Sequence, residues 1–195
     1  MKNYVAYPRS GSHFLHQVLS CYINDVAQTK LYRPHHDRDL KGLHGCLYVW
    51  RNPVKVMFSL FSGDYCNEKQ IMDLSLLTDS WIDLEINRIK KHFEFYWKRA
   101  GLVIRYKDLI NNNAWTEILK FLGCEYDEQR IMSCSSEITL NVSIERFPGQ
   151  WMNGFMRSDE YKQGRIDFEE KYEDKILNDF SEYLNKDKNY LTQAN

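Results

Sequence analysis

The sequence has no excess of charge in either direction: 26 Lys and Arg stand against 27 Asp and Glu, a formal net charge of −1. That balance argues against a nucleic-acid binder, which needs a basic surplus to neutralise phosphates. A local basic cluster around one small anionic ligand stays open. No apolar run approaches the ~20 residues of a membrane span, and Met1 to Ala6 include no apolar signal region. No C-x-x-C pair occurs among the five cysteines, Cys21, Cys46, Cys66, Cys124 and Cys134. An odd number of cysteines without a leader leads us to expect reduced thiols in a cytoplasmic protein. Repeats and low-complexity tracts are missing, and no set of His, Cys and carboxylates has metal-ligand spacing, so no metal is expected.

What is present is a globular composition. The 195 residues fit a single domain, 1–195, and are 43% hydrophobic and 27% charged. Aromatics reach 14%, mostly packing material for a core. Residues 3–7 alternate toward apolar and predict a strand; Gly11 then opens a helix with Phe14, Leu15, Val18, Leu19 and Tyr22 at helical spacing. Lys30 to Arg33 predicts a short strand, and Cys46 to Trp50 a buried one, with Pro53 in the first turn of the next helix.

Ser80 and Asp83 have capping-box spacing ahead of a long helix whose stripe is Ile82, Ile86, Ile89, Phe93 and Tyr96. Leu102 to Tyr106 predicts another strand, and Ala114 to Leu122 a helix stopped by Gly123. Residues 135–165 show no period and are expected to hold loops, with Asp167 capping a last helix. Strands alternating with helices predict an α/β fold, a central parallel sheet flanked by helices, with ligands beyond the carboxyl ends of the strands.

Two such ends carry chemistry. Tyr7-Pro8-Arg9-Ser10-Gly11-Ser12-His13-Phe14 joins the first strand to the first helix. Gly11 permits close backbone approach, and the helix N-terminus offers amides and roughly half a positive charge to an anion. Arg9 adds a fixed cation, and Ser10 and Ser12 add hydroxyl donors. The second is Tyr48-Val49-Trp50-Arg51-Asn52-Pro53, with Ser59 eight residues after Arg51. At about 100° per residue, Ser59 leaves the stripe of Val56, Met57, Leu60 and Phe61 and is expected to face a ligand.

Together these motifs resemble the sulfotransferase family that uses 3′-phosphoadenosine 5′-phosphosulfate (PAPS). Its first loop commonly reads Tyr-Pro-Lys-Ser-Gly-Thr-Thr-Trp, and its second signature is Tyr-x-x-Arg-Asn-Pro with a later Ser. The resemblance runs from Tyr7 to about Phe168 and implies a P-loop-like sulfotransferase fold that uses PAPS as co-substrate. It implies that Arg9 meets the bridging oxygen, that Ser10, Gly11, Ser12 and His13 cradle the phosphosulfate, and that Phe14 lies against adenine. Arg51 and Ser59 are implied to bind the 3′-phosphate.

The family's base lies between the two motifs. Here Arg33-Pro34-His35-His36-Asp37 holds that place, with His36 favoured and His35 the near alternative. Arg105-Tyr106-Lys107-Asp108-Leu109 resembles a Tyr-Glu-Asp-Leu segment and reads as scaffold. Tyr161 to Phe168 is a degraded counterpart of a late phosphate loop, in which Lys162 and Gly164 are implied cofactor contacts. Read as residues alone, the side chains of His13, His16, His44 and His92 are expected to be structural.

The expected reaction is in-line transfer of a sulfuryl group to a hydroxyl or amine on a small-molecule or glycan acceptor, releasing the desulfated product PAP. One alternative is a PAP-binding protein without transfer activity. Another is a P-loop kinase, but Gly11 is not followed by the Lys-Ser/Thr it requires, and no magnesium-binding Asp stands at a strand end. The acceptor and the oligomeric state are not readable.

Overall fold

A computed structural model of the chain describes residues 4–23, 44–65, 71–138 and 158–193. The expected strand at Lys30–Arg33 and the histidine pair His35 and His36 lie outside the described residues. Packing divides the chain into two compact units. One comprises Met1–Arg51 and Lys91–Trp151, the other Asn52–Lys90 and Met152–Asn195.

The first unit holds the sheet. Strands β1 (Tyr4–Ala6), β2 (Leu47–Trp50) and β3 (Leu102–Arg105) pair in parallel, in the order β1-β2-β3. Val5 lies opposite Tyr48, and Tyr48 opposite Val103. Every residue of β1 and β2 is buried, as a sheet covered on both faces requires.

Because strand side chains alternate, Tyr4, Ala6, Leu47, Val49 and Ile104 share one face. They join a core with Leu15 and Leu19 of helix α1 (Ser12–Tyr22) and, further along the chain, Trp115, Ile118 and Ile131. Leu15 and Leu19 are fully buried, each worth roughly 1.5–3 kcal/mol. The opposite face carries Tyr48 and Trp50. Tyr48 stacks on Tyr96 at 5.7 Å, and Trp50 meets Phe93 edge-on at 5.2 Å. Both partners belong to helix α3 (Asp79–Trp97), inside which the boundary between the two units falls.

Beyond β3, short α4 (Tyr106–Ile110) precedes α5 (Trp115–Leu122), which Gly123 ends in the left-handed conformation at φ 75°. Helix α6 (Glu128–Glu137) was not readable from periodicity, although Asp127 caps it by accepting from the Arg130 amide at 3.0 Å.

One cysteine expectation is corrected here. Cys21 of α1 and Cys134 of α6 form a disulfide across 113 residues of sequence, while Cys46 and Cys124 are free. Sequence spacing could not reveal it, because only the packing of α1 on α6 brings the two Cα atoms to 5.6 Å. Reduction should lower Tm by about 5–10 °C, since the cross-link closes a long loop in the unfolded chain. Calorimetry with and without a dithiol checks this. A C21S/C134S variant should melt like the reduced protein and ignore the reductant.

The second unit is helical. Asn52 starts α2 (Pro53–Tyr65): its Oδ1 accepts from the Val54 amide at 2.9 Å, and Pro53 occupies the first turn, where no amide is needed. Thr78 caps α3, two residues before the expected Ser80; its Oγ1 accepts from the Trp81 amide at 3.2 Å. The stripe of Ile82, Ile86, Ile89, Phe93 and Tyr96 is buried as expected.

The last helix, α7 (Asp159–Gln193), is longer than the sequence suggested. It begins eight residues before Asp167, with the Ser158 Oγ accepting from the Tyr161 amide at 3.1 Å. Gly164, implied by the resemblance to lie in a loop, is inside this helix although glycine disfavours helix interiors by about 1 kcal/mol. Here its missing side chain makes room for Met72, whose atoms occupy the place of a Cβ. Phe58 of α2 packs on Tyr161 and Phe168 of α7, and Lys175 of α7 pairs with Asp83 of α3 at 2.8 Å. Among the described residues, no helix is long and apolar enough to cross a membrane.

Candidate functional site

The carboxyl ends of β1 and β2 are neighbours, so parallel pairing alone brings the loop after each to one edge of the sheet. After β1 the chain turns sharply, with the Ser10 amide donating to the Tyr7 carbonyl at 3.0 Å. Arg9, exposed, takes a left-handed conformation at φ 66°, and Gly11 follows at φ 94°. The left-handed region costs a non-glycine residue roughly 1–2 kcal/mol, so Arg9 must be held there.

Part of that hold is Arg51. Its Nη1 donates to the Arg9 carbonyl oxygen at 3.0 Å. The bond brings the Arg51 side chain to the backbone of Arg9. The Arg51 guanidinium also lies 4.8 Å from the centroid of the Tyr106 ring, a cation–π arrangement. Tyr106 in turn fills the space beside Gly11, where any Cβ would collide with its ring. Gly11 is therefore required twice, by its positive φ and by Tyr106.

The sequence assigned Tyr106 to scaffold, but the geometry brings it into the cluster. Its signal was position: it follows the last residue of β3, as Arg51 follows the last residue of β2. Arg105 beside it is neutralised by a two-pronged pair with Asp108 at 2.7 and 3.0 Å.

Gly11 caps α1 with no side chain, and the first turn contains no acidic residue. This end of α1 therefore carries its positive dipole with no acidic side chain in its first turn to oppose an anion. This arrangement suits a phosphate or sulfate better than a metal or a neutral molecule. Among the described residues no group of three or more His, Cys, Asp or Glu stands ready for a metal ion.

The remaining expected residues divide as follows. Ser10 is buried beneath the turn. Phe14 is half-buried and lies 6.3 Å from Trp115. Ser12 and His13 open α1 through their backbone. Ser59 is half-buried between buried Phe58 and Leu60, off the apolar stripe of α2 as expected, and belongs to the second unit. Lys162 and Gly164 lie in the first turns of α7 and not in a loop. Lys162 pairs with Asp159 at 2.9 Å, and Gly164 abuts Met72. His16 is structural, its Nδ1 sharing a 2.8 Å hydrogen bond with the Tyr4 hydroxyl.

His92 is fully buried behind the loop, and burial lowers its pKa from 6.5 to about 4. The unfolded chain takes up this proton below about 6.5, whereas the folded chain resists it until about 4. Stability should therefore be level above pH 6.5 and fall as the pH drops toward 4, by at most about 3 kcal/mol from this residue. Urea unfolding at pH 7 and pH 4 checks the loss, and H92F should lack this share of it.

No protein-family model matches the chain, and no curated protein matches it. Among solved structures, mouse sulfotransferase SULT7A1 complexed with PAP is similar. The two are 16% identical with a TM-score of 0.50, and the match covers 98% of this chain and 88% of that one. The small parallel sheet and its many helices match the sulfotransferase α/β fold.

Proposed function

We propose that the chain is a PAPS-dependent sulfotransferase. The observation that supports this most is the 3.0 Å bond from Arg51 Nη1 to the Arg9 carbonyl, in the turn that leads into α1. It joins two sequence motifs that are 42 residues apart in the chain, each suited to one anionic end of the same nucleotide. The mouse sulfotransferase of similar fold is complexed with PAP.

On this reading the loop amides and Arg9 receive the 5′-phosphosulfate, and Arg51 receives the 3′-phosphate. The acceptor's oxygen or nitrogen attacks sulfur in line. Its new bond to sulfur forms as the bridging sulfur–oxygen bond breaks, and PAP leaves with the electron pair. His36, or His35 in its place, takes the acceptor's proton. Arg9 stabilises charge growing on the departing phosphate, and no metal is required.

A second reading, PAP binding without transfer, draws on the helical state of Lys162 and Gly164, where the family's late phosphate loop was expected. Calorimetry with PAP and with adenosine 5′-phosphate tests the binding. PAP should bind at least about tenfold tighter, since only it offers the 3′-phosphate to charged donors. Equal affinity sinks the proposal. Mass spectrometry of small-molecule and glycan extracts incubated with PAPS then separates transfer from binding alone.

A further inference from the structure

His92 is among the most buried polar side chains of the first unit, and nothing in the reaction uses it. Its Nδ1 shares a 3.2 Å hydrogen bond with the Tyr48 hydroxyl, and its Nε2 is buried without a partner among the described residues. The ring sits edge-on to Tyr7 at 5.1 Å and tilted against Tyr96 at 4.7 Å. Tyr7, Tyr48 and Tyr96 are all buried too.

An imidazole kept only to fill space is a poor choice here, because a buried unpaired nitrogen is costly and a phenyl ring would pack without one. What a phenyl ring cannot supply is the bond to Tyr48. The two tyrosines that His92 touches are not equivalent in the chain. Tyr7 is the base of the phosphosulfate turn, its carbonyl accepting from the Ser10 amide. Tyr48 lies three residues before Arg51, on the strand that ends in it. His92 thus contacts the roots of both segments whose tips meet in the Arg51–Arg9 bond.

We propose that His92 is a positioning residue that sets the β1 turn and the end of β2 in mutual register, so that Arg9 and Arg51 face one ligand. The effect on ligand binding rests on the function proposed above, whereas the effect on the turn does not. The other titratable groups around the ring are Tyr7, Tyr48, Tyr96 and, on β2's side, Cys46, which acts on Tyr48.

The test uses H92F, which keeps a ring against Tyr7 but removes the bond to Tyr48, and Y48F, which removes only the hydroxyl. Nuclear magnetic resonance of the free proteins reads hydrogen exchange at the Ser10 amide and the Arg51 Nε–H signal. Calorimetry reads PAP binding. Both variants should speed Ser10 exchange about tenfold, the worth of one ordinary hydrogen bond, shift the Arg51 signal, and weaken PAP about tenfold.

The double variant should be no worse than either single one, because all three lose the same bond. Unchanged Ser10 and Arg51 signals in Y48F overturn the proposal, even if H92F fails to fold. Unchanged PAP affinity in a folded variant also overturns it. If the wild type ignores PAP while the Ser10 and Arg51 signals respond as stated, the sulfotransferase reading fails and the positioning role stands.

Discussion

Replacing Arg51 with Ala is expected to weaken PAP binding by about a hundredfold or more, with the fold retained. Arg51 is assigned two tasks at one place. One is a pair of charge-assisted bonds to the 3′-phosphate, worth roughly 1.5–3 kcal/mol each. The other is structural: Nη1 holds the Arg9 carbonyl, and the guanidinium rests on Tyr106. Loss of the side chain removes the first and loosens the second, so the turn after β1 also suffers.

R51K separates the two tasks. Lysine restores the charge but not the planar fork, and it stacks less well on a ring, so recovery should be partial. Calorimetry with PAP across wild type, R51K and R51A reads the series. Equal affinity in all three removes Arg51 from the site.

Replacing His36 with Ala is expected to lower turnover by about 10²–10⁴, the usual contribution of a positioned general base. PAP affinity should stay within about twofold, because the base acts on the acceptor and not on the nucleotide. The reasoning is chemical. Neutral acceptors need a proton removed as the new bond to sulfur forms, and a histidine of ordinary pKa does this near neutrality. Rates measured for H36A and H35A on any acceptor that gains sulfate decide between the neighbours. Unchanged turnover in H36A with loss in H35A transfers the role to His35, and unchanged turnover in both ends the histidine-base mechanism.

Much of the fold was readable because it follows short-range rules. The stripe from Ile82 to Tyr96 is buried as its spacing demands, and Leu47 to Trp50 is a fully buried strand. Pro53 stands in the first turn of a helix, as its place in the sequence predicts. The first turn of α1 was readable too, since Gly11 before an apolar stripe is a local signal. Errors arose where a local preference lost to packing. The segment around Gly164 was expected to be a loop, yet α7 runs through it, with Met72 in the space a side chain would take. Ser80 and Asp83 had capping spacing, yet Thr78 offered its oxygen two residues earlier.

By itself, then, the sequence determined the parallel α/β alternation, the glycine that opens α1, and the residue types at both strand ends. These depend on neighbours within a few positions, where backbone geometry is nearly fixed. Only the tertiary structure decided which distant groups meet: Arg51 with the Arg9 carbonyl, Tyr106 with Gly11, His92 with Tyr7 and Tyr48, and Cys21 with Cys134. Such meetings are set by strand order and helix packing, and no spacing along the chain encodes a distance across it.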